Sequence, residues 1–162
     1  MFSKMVSTQD ATCLLDIQDR AVLDRAVELG LLKRAQTGTK GNRYKISEIV
    51  LFRLAQAITH VGVEPQKAGR YAEAVLGSRL EEHEKNALEW IENESQELFC
   101  LIADDQLTRI FLRNKDDSKE LDVGAVRPVL FPTTTCEINV FRVIRPVVYR
   151  ARHLHQSQAN SG

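Results

Sequence analysis

The chain has 162 residues, of which 43% are hydrophobic and 27% are charged, and its 22 Lys and Arg residues balance 22 Asp and Glu residues. These proportions are typical of one or two small soluble domains that bury a real core. No apolar run approaches the roughly 18 to 20 residues that span a bilayer, and residues 1–10 lack the apolar stretch of a signal peptide. We therefore expect a cytoplasmic protein with no membrane partner.

The reactive residue types are few and scattered. Cys13, Cys100 and Cys136 lie far apart and form no CxxC pair, which predicts neither a disulfide framework nor a structural zinc site. His153 and His155 stand two apart near a predicted helix end, on different helix faces. The sequence also lacks the motifs of nucleotide binding, zinc proteases and serine hydrolases. We expect no cofactor, no metal ion and no enzymatic activity.

The neutral total charge is an average over three unlike segments. Residues 1–75 carry 11 basic and 8 acidic residues, residues 76–130 carry 7 and 13, and residues 131–162 carry 4 and 1. Residues 29–47 contain five cations and no acid. Because a phosphate backbone responds to local charge, the neutral total leaves a nucleic-acid partner open.

The first half of the chain predicts short helices joined by turns. A helix is predicted over Thr8–Leu15 and a turn at residues 16–18. A second helix is predicted over residues 19–29, and Gly30 ends it. Two short helices joined by a tight turn are a candidate helix-turn-helix.

A basic loop and two further helices follow. The glycine-containing polar segment at residues 33–45 predicts the loop of a two-stranded wing. Ser47 is predicted to cap a long helix whose apolar positions keep helical spacing up to Gly62. Pro65 suits the first turn of a fourth helix that continues to Leu76.

The order of these elements, with Gly30-Leu31-Leu32 after the second helix and Ser47-Glu48 at the long helix, resembles the winged helix-turn-helix domain of MerR-type transcriptional regulators. The resemblance covers about residues 8–76. It implies that the second helix enters the DNA major groove and that an arginine of the wing contacts the DNA backbone. It therefore implies a DNA-binding transcriptional regulator whose partner is double-stranded DNA.

Candidate DNA contacts follow from charge and position within this domain. Donors at the start of the second helix are expected to reach base edges, and cations of the wing are expected to contact phosphates. The base-reading candidates are Gln18, Arg20 and Arg25, the wing candidates are Lys40, Arg43 and Lys45, and two cations at the base of the wing are Lys33 and Arg34.

Acidic neighbours of these residues motivate other hypotheses. Asp16, Asp19 and Asp24 surround the base-reading candidates, and carboxylates repel phosphates. A rival hypothesis is a protein-protein interaction module whose winged helix no longer binds DNA. A third hypothesis is a small-molecule sensor whose ligand enters between a sheet and the last helix.

The second half of the chain predicts an acidic α+β unit with a small sheet. Its predicted elements are a solvated connecting helix at residues 79–94, strands at 97–103 and 106–112 that turn at Asp104 and Asp105, a charged loop at 114–122, and strands at 126–131 and 133–138.

The last helix has the strongest periodicity in the chain. Asn139 is predicted to cap it, and Pro146 removes one of its hydrogen bonds. Its apolar stripe either covers the sheet of its own subunit or packs against its copy in a homodimer, and both alternatives stay open. Pairing suits a regulator that reads two half-sites. The stripe consists of Val140, Val143, Ile144, Val147, Val148, Ala151 and Leu154.

We predict an α+β fold with two domains. Residues 1–77 form a MerR-like winged helix-turn-helix domain. Residues 78–156 form an acidic α+β domain, in which the small sheet is covered by or paired through the C-terminal helix. Residues 157–162 are predicted to be a disordered tail.

Overall fold

A computed structural model describes residues 1–35, 41–82, 84–124, 129 and 132–159 of the chain. Over these residues the fold is α+β, as predicted, with a small antiparallel sheet and one long helix that packs against both halves. The helices are α1 (Thr8–Leu15), α2 (Ala21–Glu28), α3 (Ile46–His60), α4 (Pro65–Ala72), α5 (Ser78–Glu82), α6 (Glu84–Glu92) and α7 (Val140–Ala159), and the strands are β1 (Met5–Ser7), β2 (Arg43–Lys45), β3 (Gln96–Ala103), β4 (Gln106–Asn114), β5 (Glu120–Gly124) and β6 (Thr135–Asn139).

Helix α1 has the predicted bounds because its own polar residues satisfy its ends. The Ser7 hydroxyl accepts from the Asp10 amide at 3.1 Å, and the Asp10 carboxylate accepts from the Ser7 amide at 3.3 Å. At the other end Asp16 adopts a left-handed conformation with φ of 58°, and the chain turns there as predicted. Helix α2 begins two residues later than predicted, at Ala21, and the Ala21 amide donates to the Asp19 carboxylate at 2.8 Å just before the helix.

Strand β2 pairs with β1, which precedes α1, and the sequence did not indicate this partner. The two strands are antiparallel, with Met5 opposite Lys45. The Ala35 amide donates to the Arg43 carbonyl at 2.9 Å and so joins the two arms of the predicted wing loop. Residues 36–40 of that loop lie outside the described residues.

The prediction that Ser47 caps α3 is wrong. The helix begins at Ile46, and Ser47 is buried, with a hydroxyl that has no hydrogen-bond partner within the described part of the chain. Backbone carbonyls satisfy the first amides of α3 instead, since Ile46 donates to Lys4 and Ser47 donates to Phe2, each at 3.0 Å. The N-terminal segment therefore takes the place of a side-chain cap.

After α3, several helical segments follow one another closely before the first strand of the sheet. Pro65 begins α4, as predicted. A π-helical turn at Glu73–Gly77 then leads into α5 and α6. The predicted helix at residues 79–94 is present in these two pieces, but it is not simply solvated, because Leu80 and Ile91 are buried in the core.

The sheet has the strand order β5-β4-β3-β6, and all of its neighbouring strands are antiparallel. The predicted hairpin of β3 and β4 is confirmed, and both Asp104 and Asp105 are left-handed, with φ of 46° and 64°. The prediction of a loop throughout residues 114–122 is wrong, because β5 begins within it. Of the predicted strand at residues 126–131, only residue 129 is described, and it belongs to no strand.

Helix α7 lies at the centre of the fold. The Oδ1 atom of Asn139 accepts from the Arg142 amide at 3.0 Å and caps the helix, as predicted. The helix continues to Ala159 and so includes residues 157–159 of the predicted tail, and the last three residues lie outside the described part. It packs against α1, α3, α6 and β3, and the buried residues of both halves form one core. In its stripe, Val140, Ile144, Val147, Val148 and Ala151 are buried, and Val143 and Leu154 are partly buried.

Candidate nucleic-acid interface

The predicted DNA contacts are surface residues of α2, of the segments on either side of it, and of β2. Lys40 lies outside the described residues, and each of the others is exposed. These exposed residues are Gln18, Arg20, Arg25, Lys33, Arg34, Arg43 and Lys45.

One face of the ribbon formed by β1 and β2 carries two of these cations. Arg43 and Lys45 alternate with Tyr44, so they share the exposed face while Tyr44 is fully buried on the other. Ser7 and Met5 of β1 lie opposite the two cations on the exposed face. The β1 side of this face therefore adds no negative charge to it.

Two of the three aspartates around α2 form hydrogen bonds with residues that are close to them in the sequence. The Asp24 carboxylate accepts from the Arg34 guanidinium at 2.7 Å and joins α2 to the segment that follows it. The Asp19 carboxylate accepts from the Ala21 amide at 2.8 Å, next to the positive end of the α2 dipole. Both acids thus stabilise the local structure of α2.

The third aspartate, Asp16, pairs with a residue that the sequence did not single out. Arg150 of α7 donates to the Leu14 carbonyl at 2.9 Å and to the Asp16 carboxylate at 3.3 Å. Its guanidinium therefore satisfies a carbonyl at the C-terminal end of α1 and fixes the turn between α1 and α2 to α7. Local sequence patterns cannot reveal this contact, because Asp16 and Arg150 are 134 positions apart.

Ion pairs within the protein also engage two of the predicted cations on this side. Arg25 pairs with Glu28, one helical turn further along α2, at 3.0 Å. Lys33 pairs with Glu73 in the π-helical turn. All four side chains are at least half exposed. Exposed ion pairs contribute only about 0 to 1 kcal/mol to the free energy of unfolding. A phosphate can replace either acid at little cost.

Arg20 and Arg43 differ from these cations. Neither guanidinium has an ion-pair partner among the residues that the structure describes. Arg20 precedes the first turn of α2, and Arg43 lies on the exposed face of the ribbon. Both are available to an external anion without losing an internal partner first.

A groove of about 390 Å³ lies between α2 and α3. Apolar side chains, among them Val22, Leu29 and Phe52, form most of its lining, and Asp19 and His60 also border it. A groove of this kind suits an apolar side chain of another protein. The helical periodicity of α2 identified its apolar face but could not indicate that part of that face stays open.

Arginines of the sheet pair with carboxylates on the neighbouring strands. Arg113 of β4 pairs with Glu120 of β5 at 2.8 Å and with Glu137 of β6 at 2.9 Å. The hydrogen bonds that Arg113 donates to Glu137, and then those to Glu120, raise the pKa of Arg113. Arg113 also stacks on the Phe99 ring, with 4.4 Å between the guanidinium carbon and the ring centre. This arginine is therefore occupied within the sheet.

The described residues offer little for covalent or metal chemistry. No three His, Cys, Asp or Glu side chains among them are arranged to share a metal ion. Burial raises the pKa of the Cys100 thiol to about 12, so this thiol stays protonated. No helix within the described ranges is both long and apolar enough to cross a membrane.

A scan against protein-family models gives no match, and a search of curated proteins gives none either. The function proposed below therefore depends on the residues of this chain.

Proposed function

We propose that the chain is a transcriptional regulator that binds double-stranded DNA through a MerR-like winged helix-turn-helix. In this proposal α1 and α2 form the helix-turn-helix, and β2 belongs to the wing. The order β1, α1, α2, β2, α3 and the tight turn at Asp16 support it.

The distribution of charge around α2 carries the proposal. Asp16, Asp19 and Asp24 each bond a group of the protein itself, whereas Arg20 and Arg43 keep exposed guanidinium groups without an ion-pair partner among the described residues. The carboxylates that motivated a protein partner thus have internal roles. The cations that a phosphate backbone requires remain accessible.

The two kinds of DNA contact are assigned to different elements. Arg43 and Lys45 contact phosphates from the exposed ribbon face, and these contacts supply most of the affinity. Gln18 and Arg20 reach base edges from the start of α2. Because only two side chains then read bases, the sequence selectivity is expected to be modest.

Salt titration of binding to a random-sequence duplex tests the proposal. Binding should weaken steeply with salt, and the double variant Arg43→Ala with Lys45→Ala should lower the slope of log Kd against log salt by about two. Arg142→Ala removes an exposed cation from the first turn of α7 and serves as the control, with a slope close to that of the original protein. No binding at low salt would overturn the proposal.

A second candidate is a protein-protein interaction module, and the groove between α2 and α3 favours it. Its partner would insert an apolar side chain beside Leu29 and Phe52. The duplex titration separates the two candidates, because a module that binds only protein shows no salt-sensitive association with DNA at any salt concentration.

We also propose that the regulator is a homodimer, since proteins that read two half-sites pair to do so. The α7 stripe packs inside the subunit, so the dimer must use another surface. Light scattering should give twice the chain mass of 18.4 kDa. A mass equal to that of one chain would contradict this part of the proposal.

A further inference from the structure

A second cavity of about 390 Å³ lies beside α5 and α6, in the half of the chain that contains the sheet. It shares no described residue with the groove between α2 and α3. The described residues that line it are Arg79, Asn86, Ala87 and Trp90. The cavity thus combines one cation and one amide with the apolar surface of an alanine and an indole. This combination is typical of sites for small organic molecules, in which a few polar groups orient an apolar ligand.

The Arg79 side chain is held in place by two contacts that leave it charged. Its guanidinium carbon lies 4.5 Å from the centre of the Trp90 ring, and one of its nitrogens donates to the Val123 carbonyl at the end of β5, at 3.4 Å. Arg79 has no ion-pair partner among the residues that the structure describes. Because a guanidinium has five N–H groups, most of its donors remain for a ligand. The two contacts position these donors in advance, which lowers the entropic cost of binding.

Arg79 differs in this respect from the arginines of the sheet. Arg109 and Arg113 also stack on aromatic rings, but each of them pairs with two carboxylates on neighbouring strands. Arg79 has the stacked arrangement without the acids. The charges of the sheet arginines are therefore used within the protein, whereas that of Arg79 is available to an external anion.

The other residues of the cavity complement this cation. The exposed Asn86 side chain has no hydrogen-bond partner within the described ranges, so its amide can donate to an oxygen atom of a ligand. Ala87 is buried and Trp90 is partly buried. The Trp90 ring packs edge to face against Phe141 of α7, with 4.8 Å between the ring centres. The apolar wall of the cavity is thus anchored to the last helix.

We propose that this cavity binds a small organic carboxylate with an apolar body. The carboxylate accepts from Arg79 and Asn86, and the body packs against Ala87 and Trp90. A planar carboxylate matches the planar fork of a guanidinium. One negative charge is favoured over the two of a phosphate monoester, because residues 76–130 carry 13 acidic and 7 basic residues and repel added negative charge. The inference goes beyond the proposed function and does not require DNA binding.

The test uses benzoate and phenylacetate as probes, added to the full chain in the absence of DNA. Trp90 is the only tryptophan of the chain, so its fluorescence reports occupancy of the cavity, and titration calorimetry gives an independent Kd. We expect saturable binding of at least one of the two carboxylates. Its neutral amide, which has the same ring, and phenyl phosphate should each bind at least about tenfold more weakly.

Two substitutions test the polar residues of the cavity. Arg79→Gln removes the charge and should raise Kd by about tenfold to a hundredfold, and Asn86→Ala removes a neutral donor and should raise it by about twofold to tenfold. Calorimetry supplies these values, because Arg79→Gln also changes the surroundings of Trp90. Asn86 is exposed, so its variant keeps the proposal testable if Arg79→Gln does not fold. Arg142→Gln removes an exposed arginine from the first turn of α7 and is the matched control, with an unchanged Kd.

The outcomes that contradict the proposal are distinct from those that contradict DNA binding. No saturable binding of either carboxylate by either method would overturn it. Equal affinity for a carboxylate and its amide, or tighter binding of phenyl phosphate, would overturn the class of ligand. Equal losses in Arg79→Gln and Arg142→Gln would show that the anion responds to overall charge and not to this cavity. The duplex titration contains none of these ligands, so the proposed function stands or falls separately.

Discussion

Asp24 of α2 and Arg34, ten residues later, form an ion pair at 2.7 Å that joins α2 to the segment leading into β2. The two partners have opposite effects on a nearby phosphate, since a carboxylate repels it and a guanidinium attracts it. Within the ion pair, the two charges largely cancel, so neither acts strongly on a phosphate. Under the proposed function, loss of the pair's acidic partner is therefore expected to strengthen DNA binding.

We expect Asp24→Asn to strengthen binding to random duplex DNA by about threefold to tenfold at low salt, since it removes one negative charge and releases Arg34 to a phosphate. The free energy of unfolding should fall by less than about 1 kcal/mol, because both side chains are partly exposed. Glu94→Gln, which removes an exposed acid before β3, is the charge-matched control. Equal gains in affinity for the two variants would point to net charge instead of the pair.

The sequence suggests that Ser47 caps α3, so that its removal would lower the free energy of unfolding. The structure predicts the opposite effect. The buried Ser47 hydroxyl has no partner within the described residues, so Ser47→Ala should raise the free energy of unfolding by about 1 kcal/mol. Ser7→Ala removes a true cap, that of α1, and should lower it by about 1 kcal/mol. Urea denaturation measures both. A loss of stability in Ser47→Ala would show that the hydroxyl does act as a cap.

Ile144 tests whether the two parts of the chain unfold together. It is fully buried in α7, within the core shared by residues 1–77 and 78–156, so Ile144→Ala should cost about 2 to 5 kcal/mol. Unfolding should remain a single transition when followed by both helix circular dichroism and Trp90 fluorescence. Tyr149→Ala, at a side chain that is 39% exposed, is the control and should cost much less. Two separate transitions would mean that the parts are independent domains.

Asp104 makes stability depend on acid pH. Its carboxylate accepts from the Thr133 and Thr134 amides, each at 2.9 Å, and these bonds hold its pKa below the usual value of 3.8. A lowered folded-state pKa stabilises the protein above the unfolded-state value, and the effect is lost as pH falls through the folded-state value.

Asp104→Asn should therefore lower Tm near neutral pH, and its Tm should approach that of the original protein at about pH 2. Thermal melts over a series of pH values measure this convergence. Asp116→Asn, in the exposed turn after β4, makes the same chemical change without these threonine contacts and is the control. A Tm difference that is constant with pH would mean that the Asp104 carboxylate does not act through its charge.

Elements with a local cause could be predicted from the sequence. The apolar spacing of α7 is visible in the chain itself, as are its Asn139 cap and the Asp104-Asp105 turn. Helix α1 has its predicted bounds, and its capping residues, Ser7 and Asp10, lie only three positions apart.

Features that depend on distant residues could not be predicted in this way. Ser47 has the composition of a cap, but carbonyls of Phe2 and Lys4 already satisfy the first amides of α3. Strand β5 has charged residues at alternate positions, and it pairs with β4, where Arg109 bonds both Glu120 and Asp122. A single sequence shows the acids and the arginines but not their pairing.

The candidate interface could likewise be predicted only in part. Gln18, Arg20 and Arg43 were recognisable by residue type and position, and the structure finds them exposed. The partners of the nearby aspartates were not recognisable, and Arg150 least of all. Whether an acid repels DNA or stabilises a turn depends on such partners, so the sequence left the balance between DNA and protein open.

The central position of α7 has a consequence for synthesis. Translation proceeds from the N-terminus, so α1 leaves the ribosome long before Arg150, the donor to Leu14 136 positions earlier. Until α7 emerges, the apolar faces of α1 and α3 lack the surface that covers them. A chain interrupted before α7 would expose these faces and be subject to degradation. The surface proposed to bind DNA would thus be completed only when synthesis has passed the helix that completes the core.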